Sequence, residues 1–345
     1  MLLLKVFKPI FLKIFSLFIP VFFPVFLIVL LSCDRNNESV DLADVPVDSI
    51  KISRYEIPLF TANPYELYTD LQSYTDEFSF FLGEEFNTVE GQDKLFDFVT
   101  DTFLQDLFYD VMEEYPDLNF LEDQLTQSFR YYRYYYPEET NPKVYSYISG
   151  LDYMMPVKYA DHNIIIGLDM YLGRDNVNYE RASIPKFKRN LFSREYIATD
   201  VMKIMAEKNI PDDVPPPESL LDFMVYEGKI LYFLDLMLPE VTDSVKIGYT
   251  NDQITWMEGN AKFVWSYFID NELIFSQDRQ MINKFVGDAP FTTVFSPNSA
   301  PRVGAWLGWQ IVKGYMNNES DVTIKQLLEE KEPREIFHKS AFKPR

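Results

Sequence analysis

Residues 218–238 read ESLLDFMVYEGKILYFLDLML, and this stretch sets how the rest of the chain is read. The positions Leu220, Phe223, Glu227, Leu231 and Leu234 follow the spacing of one face of an α-helix. At about 100° per residue, Glu227 falls in the middle of that apolar stripe, with Asp222 and Lys229 on the opposite, polar side. A carboxylate on a buried face needs a cation, a metal or a proton, because burying an unpaired charge is prohibitive. Arg302 or another buried base is the structural partner. The competing reading makes Glu227 part of a functional site, with Glu258 as a second carboxylate in a hydrolytic acid–base pair.

Working outward, the prolines of Ile210–Pro217 (IPDDVPPP) forbid helix, and Tyr196–Lys208 before them has helical period. Further upstream, Lys143–Ile148, Met155–Tyr159 and Asn163–Asp169 are short β-branched and aromatic runs bounded by Gly and Pro, the pattern of three strands. Ile50–Tyr55 alternates apolar and polar residues and reads as a first strand, closing with Ile57-Pro58-Leu59-Phe60. Between the first strand and the middle ones, Pro64–Phe81, Gln92–Tyr115 and Leu118–Tyr135 read as helices. The third ends in Tyr131-Tyr132-Arg133-Tyr134-Tyr135-Tyr136. Exposed, these rings would stack on sugars or aromatic groups; buried, they are core. His162, ahead of the most apolar strand, reads as a strand-end hydrogen bonder.

Downstream, Asn251–Phe275 reads as a helix carrying Trp256, Glu258, Trp265 and Tyr267, and Pro290–Pro301 as irregular. Pro301 suits the first residue of a helix over Arg302–Met316. In it, Gly304 and Gly308 stand one turn apart, so a neighbour can approach the backbone closely. Thr323–Glu330 is a last amphipathic helix. The expected fold class is α+β, mostly helical with a small mixed β-sheet.

The chain has 345 residues and a formal net charge of −21, with 30 Phe, 23 Tyr and 4 Trp but 12 Gly. This is a core-rich globular composition, and its acidity is at odds with nucleic-acid binding, which needs positive patches. Two histidines and one cysteine exclude most nitrogen- and sulfur-ligated metal sites by inventory, so no metal and no cofactor is expected.

That single cysteine follows a basic start with Lys5, Lys8 and Lys13, and an apolar run from Ile14 to Leu31. Basic start, apolar run and a small residue before the break are the parts of a secretory signal. Leu30-Leu31-Ser32-Cys33 then reads as a lipobox, with Cys33 the lipid acceptor and anchor to the bilayer. Two readings compete: an uncleaved spanning helix, opposed by Pro20 and Pro24, and a free structural cysteine. The expected organisation is signal peptide over 1–32, lipidated cysteine and acidic tether over 33–48, and one globular domain over 49–345.

Several stretches together resemble the gliding motility lipoprotein B family (GldB-type) of Bacteroidetes. They are Leu30–Cys33, Gly150–Gly173, Tyr226-Glu227-Gly228-Lys229 with Tyr232, Trp256–Ser276, Pro301–Val312 with Tyr315, and Lys343-Pro344. The Pro301–Tyr315 stretch is the most specific. The resemblance implies a cell-envelope lipoprotein needed for gliding over surfaces and working beside other gliding and secretion proteins. It brings no catalytic residues. A second likeness is to zincin-like metalloprotease domains, which need His-Glu-x-x-His on a helix. Here the corresponding residues are Tyr226-Glu227-Gly228-Lys229-Ile230, so that scaffold would lack its zinc ligands.

The expected function is non-enzymatic support of gliding through protein partners, from the outer membrane facing the periplasm. Asp34 beside the cysteine would favour the inner membrane under enterobacterial sorting rules. Capture of a glycan or peptide at the surface is the alternative, and hydrolysis by Glu227 and Glu258 the third reading.

Overall fold

The computed structural model describes residues 41–46 and 48–344. Cys33 and the apolar run ahead of it lie outside the described residues. Among the described residues, no helix is long and apolar enough to cross a membrane. Of the described residues, Asp41–Asp44 belong to one unit and those from Val45 to another. In the first, the Asp41 carboxylate accepts the Ala43 N–H at 2.9 Å.

The second unit begins with strand β1 (Ile52–Arg54) and helices α1 (Glu56–Thr61), α2 (Val89–Thr100), α3 (Thr102–Glu114) and α4 (Asn119–Tyr135). Strands β2 (Lys143–Tyr147), β3 (Val157–Ala160) and β4 (Asn163–Gly167) follow. The remaining long helices are α5 (Ile197–Lys208), α6 (Leu220–Met237), α7 (Asn251–Asp270), α8 (Arg279–Val286) and α9 (Val303–Asn318). Helices α10 (Ile324–Glu329) and α11 (Pro333–Ser340) close the unit. This is an α+β fold, mostly helical.

The sheet has the order β1-β2-β4-β3. β1, β2 and β4 are parallel and β3 runs antiparallel to β4. Because successive side chains point to opposite faces, Ile52, Val144, Ile164 and Ile166 join the main helical core, while Tyr145 joins a second core of Tyr55, Leu71, Phe78 and Val99. Covering both faces explains why β4 reads as three consecutive isoleucines, all buried.

On the main face α6 is the central helix. Ser219 and Asp222 close a capping box at its start. Leu220, Met224, Val225, Ile230, Leu234 and Met237 are all buried, so the helix is enclosed on nearly every side. Its glycine faces α9: a Cβ on Gly228 would overlap the Gly308 carbonyl, and one on Gly308 the Met224 carbonyl. The close approach expected at Gly308 is therefore present, and its partner is α6.

Several boundaries differ from the sequence reading. Ile57–Phe60 is helical, within α1, because the chain turns over the second core directly after β1. Pro64–Phe81 holds only short helical segments, Pro64–Glu66, Leu67–Leu71 and Gln72–Tyr74. Gln92–Tyr115 is two helices, since the Asp101 side chain accepts from Phe103 N and Leu104 N and starts α3 afresh. Asn271 ends α7 well before Phe275. Arg302, not Pro301, caps α9, with φ 47°. Lys229, read as solvent-facing, is buried.

Candidate functional site

A cleft of about 1,020 Å³ opens where the turn after β4, the loop into α5 and the heads of α7 and α9 converge. Tyr153 and Pro156 line it from the segment entering β3, and Asn176 from the turn. Asp200 lines it from the first turn of α5, Thr250 from the cap of α7, and Arg302 from the cap of α9.

Arg302 is the most constrained residue of this wall. A non-glycine residue in the left-handed region costs about 1 kcal/mol or more. Two contacts hold it there. Its guanidinium donates to Glu227 Oε2 at 2.6 Å, and the buried Tyr249 hydroxyl donates to Pro301 O at 2.6 Å. Burial works against the Arg302 charge, but the Glu227 carboxylate and then Asp288 more than offset it and hold the guanidinium above its ordinary value. Glu227 thus meets the cation that its place on α6 calls for.

Asp200 is tied on two sides. Tyr171, fully buried, donates to Oδ2 at 2.9 Å, and Lys203 Nζ stands 3.1 Å from Oδ1. On another part of the wall, Lys188 pairs with Asp288 at 3.3 Å and lies over the Tyr153 ring. Lys188, Asp200, Asp288 and Arg302 of the lining are thus each in an ion pair, whereas Lys186 and Glu195 form none among the described residues. None of its lining residues is histidine or cysteine. Such a wall presents fixed dipoles, hydroxyls, amides and rings, which suits holding a ligand by shape and hydrogen bonds.

Glu258 is not part of this arrangement. It is exposed on α7 and forms no ion pair among the described residues. The carboxylate that senses Glu227 is Glu207 of α5: loss of hydration, and then the Glu227 charge, raise it above its ordinary value. A buried site of Glu227, Glu258 and Arg302 is therefore corrected to the pair Glu227–Arg302. Glu258 misses it because α7 turns that residue to solvent.

The tyrosine run is divided. Tyr132 and Tyr136 are buried and stacked at 4.8 Å, whereas Tyr134 is exposed and meets Tyr135 edge-on. His162 lies at the β3–β4 turn, within hydrogen-bond distance of Thr140 and near the Tyr159 hydroxyl. Lys229 donates to the Glu330 carbonyl at 2.6 Å, just past the end of α10. Among the described residues, no group of three or more His, Cys, Asp or Glu side chains is placed to hold a metal ion. The Asp200–Tyr171 and Lys188–Asp288 contacts escaped sequence reading, since each joins separate segments that carry no spacing signal.

An α+β, mostly helical domain with a Glu–Arg pair at the wall of its cleft defines a class by architecture alone. The comparisons supply the family: the model of gliding motility protein GldB matches residues 35–344, and the chain belongs to that family. No curated protein and no solved structure matches.

Proposed function

We propose that this chain is a cell-envelope lipoprotein, anchored through Cys33, that supports gliding by holding protein partners and without catalysing a reaction. The family match over 35–344 carries the reading. Its support within the fold is the cleft wall, where Glu227 is engaged by Arg302 at 2.6 Å and no histidine or cysteine stands beside a hydroxyl or carboxylate as a base or nucleophile. The lipid end is argued from Leu30–Cys33, and the acidic residues that follow it serve as a short tether to the outer membrane, on its periplasmic side.

The test is single-cell movement on glass in a gliding host lacking this gene. Wild type is expected to restore movement and Glu258→Gln to restore it equally. Cys33→Ala is expected to leave cells immobile while the protein accumulates unanchored. Normal movement in the deletion strain would overturn the motility role, and rescue by Cys33→Ala would overturn the anchor.

A further inference from the structure

Among the described residues β3 is an edge of the sheet, paired with β4 and with no other strand. Gly167 donates its N–H to Pro156 O at 2.9 Å, which makes 156 and 167 a hydrogen-bonded pair. Such pairs alternate along an antiparallel ladder. Lys158 and Ala160 therefore bond to β4, opposite Ile165 and Asn163. Val157 and Tyr159 turn their N–H and C=O groups outward, and among the described residues no backbone group outside the sheet receives them.

The strand itself is held firmly. The Val157 side chain is buried and Tyr159 packs against the main core. Lysines commonly guard sheet edges, but Lys158 is drawn back over the opposite face. Its ammonium meets Asp152 at 2.9 Å and the Tyr147 hydroxyl at 2.8 Å. The two residues Tyr153 and Pro156, which lead into β3, line the cleft.

We infer that β3 and the adjoining cleft receive an extended polypeptide segment of a protein partner. The segment adds a fifth strand along Val157–Ala160 and lays its continuing chain into the cleft. This deepens the reading of the protein as a holder of partners, and names the surface. An edge with alternating free donors and acceptors is complemented by another backbone in extended form, and side-chain pockets beside it supply selectivity. A volume of about 1,020 Å³ takes several residues of chain. Its walls offer the Tyr153 and Tyr196 rings to apolar side chains and Asn176 and Thr250 to polar ones.

The test uses the full chain in detergent and a phage-displayed library of random twelve-residue peptides as the probe. Selected peptides are expected to slow amide exchange at Val157 and Tyr159 at least tenfold. Two substitutions separate main chain from side chain. Tyr159→Pro removes an outward N–H and places a ring on the edge while leaving the bonds of 158 and 160 in place. Tyr159→Ala loses the same side chain and keeps the amide. Peptide affinity is expected to be at least tenfold weaker for the proline variant than for the alanine variant. Failure to select any peptide, unchanged exchange at the two amides, or equal affinities would each overturn the inference. A chain that restores movement yet binds no peptide sinks this surface alone; one that binds peptide where deletion leaves movement normal sinks the motility reading alone.

Discussion

Gly228 of α6 and Gly308 of α9 meet backbone to backbone, each in the place where a Cβ would overlap a carbonyl of the other helix. This crossing lies six residues along α9 from its cap Arg302 and one residue from Glu227, so the two long helices and the ion pair share one geometry.

Gly308→Ala is expected to be strongly destabilising. Overpacking costs about 1–3 kcal/mol, and here the obstacle is helical backbone that has no rotamer to adopt. Gly259→Ala on exposed α7 is the control, with nothing within 4 Å of the added Cβ. It should gain up to about 1 kcal/mol from helix propensity. Urea midpoints of the two variants should fall on opposite sides of wild type.

Glu227→Gln leaves the Arg302 guanidinium without its counter-charge, while Tyr249 still holds the backbone. Breaking a fully buried pair costs about 3–5 kcal/mol. With side chains 25% and 19% exposed, a loss of about 1–3 kcal/mol is expected. Thermal unfolding of Glu227→Gln, Arg302→Met and the double variant forms a cycle that isolates the pair. Additive losses would show that the two side chains do not act together.

Lys229 links stability to pH. Burial lowers its ammonium to about 8 from an ordinary 10.5, with Glu330 acting in the opposite direction. Below pH 8 both the folded and unfolded chains keep the proton, and folding bears the full cost of hiding it. Between 8 and 10.5 the unfolded chain binds more protons, so stability rises with pH. The stability of wild type minus that of Lys229→Met should be flat from pH 6 to 7.5, then climb by up to about 3 kcal/mol toward pH 10. A difference that stays level across that range would refute the link.

Asp169 offers both carboxylate oxygens to main-chain donors. Oδ1 accepts from Ser149 N at 2.8 Å, and Oδ2 from Leu151 N at 2.7 Å and Ser149 Oγ at 2.9 Å. These bonds pin a turn in which Gly150 and Leu151 both have positive φ. Whichever way an amide is placed, Asp169→Asn sets an NH₂ against a backbone N–H. About 2–4 kcal/mol should be lost, and amide exchange at Ser149 and Leu151 should accelerate together.

Much of the fold was legible where one physical signal dominated. Three consecutive isoleucines marked β4, helical period marked α4 and α5, and two glycines one turn apart marked the close face of α9. Ile57–Phe60 misled because four apolar residues carry no period that separates strand from helix. The break at Asp101 was a capping signal hidden inside a continuous apolar pattern. Of the candidate site, Glu227 was legible because an acid on an apolar face needs a cation, a metal or a proton, and the fold selected Arg302 among the candidate bases. Glu258 stands off the stripe Met257, Ala261, Val264 and Phe268 that α7 turns to the core, a helical spacing that the sequence reading did not use.

By itself the sequence determined the α+β class, the family, the apolar run before Cys33 and the requirement that Glu227 find a cation, a metal or a proton. Those rest on local pattern and on the cost of buried charge, which act within a helix turn or a short segment. Tertiary structure alone decided that Lys229 is buried. Its acceptor, the Glu330 carbonyl, lies past the end of α10, 101 residues along the chain. It alone also brought Asp200, Thr250 and Arg302 to one cleft and left β3 as the edge. Contacts between distant segments depend on how whole elements pack, and no residue's neighbours in sequence record that.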